Sequence, residues 1–287
     1  MRALVVLTPA ESKRLISKAL LAMDEVKKAR ASGIITIHPS SSTYFLIEEL
    51  TGAKPTGIWV CGVIVPRGMC SARTDKNRDH GGGVRHNWIV QNGVAERGRT
   101  IVDILASMGP DDIYVRGCNA LDPEGNVGVI VGERDGGPIS LAIGAAKRQG
   151  FKIVAPVSLG KHIPVPIREA ARHVGINRID KAMGKPVSLI RVPATVVTEV
   201  DAVRILTGAT ATPVAAGGLG GAEGALSLAL TGTEEQVLQA YSLVESVKGA
   251  QLPVPTVMDC RDCPNELCHF RGRGDGGWLP GMAGPQA

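Results

Sequence analysis

Short runs of aliphatic and β-branched residues alternate along this chain with longer stretches whose apolar positions recur every three to four residues. Residues 4–7 (LVVL) read as a strand. Thr8-Pro9-Ala10-Glu11 then forms a capping box with proline in the first helical turn. Leu15, Ala19, Leu20, Met23 and Val26 lie on one stripe of a helix running to about residue 31, with Lys and Arg on its other face, and Gly33 ends it. Residues 34–37 (IITI) predict a second strand, followed by His38-Pro39-Ser40-Ser41-Ser42-Thr43 and a helix over 44–50 closed by Gly52. A strand is expected over 57–65 and a long loop over 66–86. Residues 94–108 read as a helix with Ile101, Leu105 and Met108 on one stripe, broken by Pro110-Asp111-Asp112.

The same alternation continues. Residues 113–115 lead into a turn, residues 127–131 form an apolar strand, and a helix over 139–149 is capped by Gly150 before a strand over 152–157. Strands alternating with helices imply a parallel sheet with helices on both faces. The fold class expected is therefore α/β: a mostly parallel Rossmann-like sheet flanked by helices, spanning residues 1–184. Composition shifts near Lys185. A strand over 187–192, a short helix over 199–206, strands over 212–218 and 224–230 and a helix over 233–248 predict a smaller ferredoxin-like α+β domain at 185–250. Gly217-Gly218-Leu219-Gly220-Gly221 reads as a hairpin connection rather than a phosphate loop. Residues 251–287 are expected to be a flexible, cysteine-containing tail.

Composition narrows the function classes. Aromatic residues make up 3% of the chain, which leaves few platforms for stacking single-stranded bases, so nucleic acid is not an expected partner. The net charge of +5 suits small anionic ligands better than a polyanion. The apolar run before Pro9 is too short for a signal peptide, and no run reaches membrane-spanning length, so a cytoplasmic chain without a membrane partner is expected. In that compartment the six cysteines are expected as thiols or metal ligands rather than disulfides.

Four stretches carry candidate chemistry. In residues 115–137, Asp122, Glu124, Glu133 and Asp135 gather at strand ends and loops, with Asn119 before them and Gly136-Gly137 after. They read either as acid–base groups or as a solvated hairpin turn, since Asp122-Pro123-Glu124-Gly125 also has turn chemistry. In the second stretch, Ser40, Ser41, Ser42 and Thr43 stand between a strand and a helix start. There they serve as an anion site or as a plain helix cap. The loop 66–86 sets Arg67, Arg73, Lys76, Arg78, Arg85, His80 and His86 around Gly81-Gly82-Gly83. It is either a lid in which Arg73 or Arg78 closes over an anion, or a solvated basic loop. Finally, Cys260, Cys263 and Cys268 with His269 give C-x2-C-x4-C-H, a spacing compatible with zinc or an iron–sulfur cluster. A fourth ligand would be His269, a distant cysteine or another subunit; the alternative is unliganded thiols.

The strand–hydroxyl loop–helix at 34–50 and the pattern G-x-N-x-L-D-P-x-x-N-V at 117–127 together resemble the superfamily of ribose-5-phosphate isomerase, glucosamine-6-phosphate deaminase and the CoA transferases, over residues 10–160. The resemblance implies a phosphate loop at 40–43, a catalytic segment at 117–127 and a dimer or larger assembly. Ser40 to Thr43 match the loop's hydroxyls without its glycines. Gly117, Asp122, Pro123 and Asn126 match the second motif, but Asn119 and Ala120 replace its first two carboxylates. The isomerase's lysine would fall at Val131-Gly132, where there is none, so isomerase chemistry in its usual form is not expected. Glu124 and Glu133 are candidates for the transferases' glutamate.

Three functions follow from these observations. The first is an enzyme acting on a small phosphorylated or carboxylated metabolite, isomerase-like or transferase-like. The second is a non-catalytic sensor of such a metabolite. The third is a metal or redox module centred on the cysteine tail.

Overall fold

The computed structural model describes residues 1–55, 59–72 and 87–273. In chain order the strands are β1 (Arg2–Leu7), β2 (Ile34–Ile37), β3 (Gly62–Val65), β4 (Gly68–Ser71), β5 (Trp88–Gln91), β6 (Val94–Glu96), β7 (Ile113–Val115), β8 (Ala120–Leu121), β9 (Val127–Val131), β10 (Lys152–Pro156), β11 (Ser188–Val192), β12 (Thr195–Val197), β13 (Thr210–Ala216) and β14 (Leu226–Thr231). The α-helices are α1 (Pro9–Ala22), α2 (Asp24–Ser32), α3 (Tyr44–Thr51), α4 (Ile101–Ser107), α5 (Gly137–Gln149), α6 (Ile167–Ala170), α7 (Glu199–Thr207) and α8 (Glu234–Ser246).

The fold is mixed α/β, built on a six-stranded mixed sheet in the order β12-β10-β7-β2-β5-β6. Its first four strands are mutually parallel, and the β5–β6 hairpin adds to β2 antiparallel. Alternation along the strands sorts the side chains onto two buried faces. Ile35, Ile37, Ile113, Val115 and Val154 pack with α1, α2 and α3. Ile34, Tyr114, Ile153 and Ala155 pack with α4 and α5. Each fully buried aliphatic side chain contributes about 1.5–3 kcal/mol by leaving water, so both helix layers are firmly anchored.

Two smaller antiparallel sheets complete the architecture. One has the order β1-β14-β13, so the N-terminal strand pairs along its whole length with a strand more than two hundred residues later. Helices α7 and α8 pack with this sheet and α1 in the larger core. The other has the order β11-β9-β8 and closes the α4–α5 side. Strands β3 and β4 form a separate hairpin. Capping boxes start α1 at Thr8–Glu11, α7 at Thr198–Asp201 and α8 at Thr233–Gln236.

Four local expectations need correction. Residues 94–108 are not one helix, because Asn92 and Gly93 take φ of 50° and 80°, the positive pair that a two-residue hairpin requires. Val94–Glu96 therefore folds back on Trp88–Gln91, and α4 starts only where the Thr100 hydroxyl caps Asp103. The first helix breaks at Met23, whose extended ψ of 133° separates α1 from α2. The strand expected over 57–65 is confined to Gly62–Val65 among the described residues. Strand β9 lies outside the six-stranded sheet, since β8 and β11 pair with it on both sides.

The tail also differs from a free segment over its described part. Backbone bridges join Val257 to Ala72 and Cys268 to Ala182, holding residues 257–268 against the β3–β4 hairpin and the segment before β11. Arg73, Lys76, Arg78, His80, Gly81 to Gly83, Arg85 and His86, which carry the lid expectation, lie outside the described residues.

Candidate functional site

Three adjacent parallel strands, β2, β7 and β10, end on the same side of the sheet, where ligands of open α/β sheets bind. The segments leaving them are His38 to Thr43, Arg116 to Asn119 and Ser158 to Lys161. Together they wall a cavity of about 320 Å³, near the lower end of small-molecule sites. Its polar lining includes Ser40, Ser41, Arg116, Asn119, Glu133, Lys161 and Lys185, and β3 and β4 supply the opposite wall.

The loop after β2 is held by its own hydrogen bonds. Thr43 Oγ1 donates to the His38 carbonyl at 2.7 Å and accepts from the Ser40 amide at 3.0 Å, so this buried hydroxyl organises the loop. His38 Nδ1 lies 3.1 Å from Asn87 Oδ1. Ser40 and Ser41 reach the cavity, whereas Ser42 and Thr43 do not line it. Gly117 makes the junction of this loop with the next one. A Cβ there would overlap Ser40 Oγ and lie 3.0 Å from Ser42 Cβ, so only glycine allows the two loops to meet this closely.

Lys161 is the most perturbed cation. Its chain keeps some exposed surface, but Nζ is desolvated and donates to the Cys118 carbonyl at 2.6 Å and to Ser42 Oγ at 2.9 Å. Burial, reinforced by repulsion from Lys13, brings its pKa down from 10.5 to about 8, while Cys118 and Glu199 pull the other way. Lys13 is itself shifted down by burial, against the opposing pull of Glu199. Glu199 is fully buried: Oε2 accepts from the Leu159 amide at 2.9 Å, and Oε1 has no hydrogen-bond partner among the described residues. A lysine held near neutrality can take up and release a proton at physiological pH.

Arg116 presents a different chemistry. Its Nε and Nη1 are buried, and among the described residues neither makes a hydrogen bond of good geometry, although the Tyr114 hydroxyl lies close enough to feel the guanidinium. Guanidinium donors are costly to bury unpaired and suit a planar, bidentate anion. The thiols nearby are not nucleophiles at neutral pH. Burial drives Cys118 up to about 11 despite Lys161 and Arg116, and drives Cys61 up to about 11 despite Arg116.

The carboxylates divide. Glu133 lines the cavity; Asp122, Glu124 and Asp135 do not. Asp122 is buried and accepts from the backbone amides of Glu124 (3.0 Å), Asn126 (2.8 Å) and Ile167 (3.0 Å), and from Asn126 Nδ2. Burial raises its pKa, but these donors outweigh it and leave it below the usual carboxylate value. Glu124 accepts from Asn126 Nδ2 at 3.2 Å, and Asp135 accepts from the Gly137 amide at 3.0 Å. Asn119 reaches the cavity while its Oδ1 accepts from the Ile130 amide at 3.0 Å. Gly136 and Gly137 start α5 with φ of 83° and 57°, and a Cβ on Gly137 would meet Glu133 Oε2 at 2.6 Å. Arg73 and Arg78 lie outside the described residues. Cys260, Cys263 and Cys268 do not line this cavity but a second, adjoining one.

Arg116, Lys161 and Lys185 are the functional candidates that sequence reasoning missed. The first two had a signal, since each follows the C-terminal end of a parallel strand. Lys185 comes from the segment before β11 and had none.

No family model matches the chain, and no curated protein matches it. Among the described residues, no helix is long and apolar enough to cross a membrane.

Proposed function

We propose that the chain binds a small phosphorylated or carboxylated metabolite in the cavity at the ends of β2, β7 and β10, and acts on it by proton transfer. The observation that carries this reading is Arg116, a guanidinium on the cavity wall whose buried Nε and Nη1 have no partner of good hydrogen-bond geometry among the described residues. Anionic oxygens on the ligand would satisfy them, one at each nitrogen. Ser40 and Ser41 offer hydroxyls to the same group, and Lys185 adds positive charge at the rim. Lys161 is the proton-transfer residue, with Glu133 the carboxylate that shares the cavity.

This reading agrees with the superfamily resemblance in the place of the site but not in its residues. The hydroxyl loop keeps its role, while Asp122 becomes a turn residue and Lys161 takes the place of a lysine that the motif lacks. On the same reading the four parallel strands form a Rossmann-like half, and the β1-β14-β13 sheet with α7 and α8 forms the smaller ferredoxin-like part. A thermal-shift screen of sugar phosphates and small carboxylic acids tests it. A ligand at a hundred times its Kd stabilises by about 2.7 kcal/mol, a readily measured rise in Tm. Binding that is followed by no turnover selects the sensor over the enzyme; no stabilisation across the screen rejects both.

A further inference from the structure

The three tail cysteines do not stand alone. Cys70, at the end of β4, lines the same small cavity of about 90 Å³ as Cys260, Cys263 and Cys268. Four of the chain's six cysteines therefore line one small cavity from sequence positions almost two hundred residues apart, and none of the six forms a disulfide. The convergence is built by the backbone. The Met69–Gly184 and Ala182–Cys268 bridges lay β4, the segment before β11 and the tail side by side. Gly68 and Gly184, at φ of 121° and 88°, allow it, since a Cβ on either would run into the facing main chain.

The donors around the sulfurs are those that thiolates take. The Gly184 amide donates to Cys268 Sγ at 3.3 Å. Arg67, a buried guanidinium, donates to Cys260 Sγ at 3.2 Å and to the Met258 carbonyl at 3.0 Å. Four sulfurs lining one small cavity, with an amide and a guanidinium aimed at two of them, form a donor set suited to a metal centre.

We propose that Cys70, Cys260, Cys263 and Cys268 hold an iron–sulfur cluster of the four-iron type. Cys-x2-Cys with two further cysteines supplies one thiolate per iron. Among the described residues, no group of three or more His, Cys, Asp or Glu side chains is placed to hold a single metal ion, so the proposal rests on the four sulfurs that line one cavity. A cluster spreads its thiolates wider than a tetrahedral zinc does, because each sulfur binds a different iron. Its net negative charge is met by Arg67, and by Lys185 on the cavity wall. Hydrogen bonds to sulfur of the Gly184 and Arg67 kind are what tune such centres.

The site adjoins the first cavity: Met69, Cys70, Ser71 and Lys185 line both. The test uses the full chain purified without oxygen and, in parallel, the metal-free chain reconstituted anaerobically with equal amounts of ferrous and ferric iron and with sulfide. About four iron and four acid-labile sulfide per chain are expected, with visible absorption that bleaches on reduction. Cys70→Ser and Cys263→Ser are each expected to lose most of this iron, while Cys61→Ser keeps it. In the wild type, the same four cysteines are expected to resist alkylation until the iron is chelated, which needs no variant to fold. One zinc per chain without sulfide, no iron after reconstitution, or full iron in a folded Cys70→Ser variant would overturn the proposal.

Discussion

Lys161→Met removes the ammonium from the cavity and keeps an unbranched chain of similar reach. The drop from 10.5 to about 8 means that holding Lys161 charged at neutral pH costs about 3 kcal/mol, at about 1.4 kcal/mol per pH unit. Against this, the variant loses the donors to the Cys118 carbonyl and Ser42 Oγ, worth about 1–3 kcal/mol together. At pH 7 Lys161→Met is therefore expected to be as stable as the wild type or up to about 2 kcal/mol more stable. The sign with pH is sharper. A lysine with a depressed folded-state pKa penalises the folded state fully below about 8, and the penalty fades as the unfolded chain deprotonates towards 10.5. Wild-type stability should thus rise relative to the variant by about 3 kcal/mol between pH 8 and 10.5. Urea unfolding of both proteins at several pH values across that window measures it, and other titrating groups cancel in the difference. Parallel profiles, or a loss of several kcal/mol at pH 7, would refute the reasoning. Turnover, once a substrate is known, should fall about a hundredfold or more in the variant.

Further expectations follow from single contacts. Gly117→Ala places a methyl against Ser40 Oγ and Ser42 Cβ, so a loss of about 1–3 kcal/mol in chemical unfolding is expected, with weakened ligand binding. Asp122→Ala strands the amides of Glu124, Asn126 and Ile167, and should cost about 2–4 kcal/mol. Because the Asp122 pKa is depressed on folding, its stabilisation is present at neutral pH and is lost as pH falls through its folded value. The wild type should lose stability on acidification below pH 4 more steeply than Asp122→Ala does. Cys61 and Cys118, both pushed up to about 11, should resist iodoacetamide at pH 7, and their rapid alkylation would contradict the raised thiol pKa.

The elements were more legible in the sequence than the site. The β-branched run at 34–37 and the Thr8–Glu11 box announce β2 and α1 because the signal for each lies within one or two turns of chain. The Asn92-Gly93 hairpin carried an equally local signal, which the helical spacing of Ile101, Leu105 and Met108 obscured. The site depends on contacts of another range. Ser42 and Lys161 are 119 residues apart, and only the order of β2, β7 and β10 brings them together. Asp122 shows the converse. The turn pattern that made it look chemically active is the reason that its oxygens are engaged, because the amides of the same turn consume them. The sulfur group was half visible: three cysteines stand close in sequence, and the fourth is delivered by the hairpin.

The most direct test of the account titrates the strongest ligand from the thermal-shift screen into wild type and Arg116→Gln by calorimetry. The account requires tight, saturable binding to the wild type and at least a tenfold weaker Kd in a folded Arg116→Gln protein, since each hydrogen bond to the guanidinium is worth about 1.5–3 kcal/mol. Equal affinity in the two proteins would contradict it.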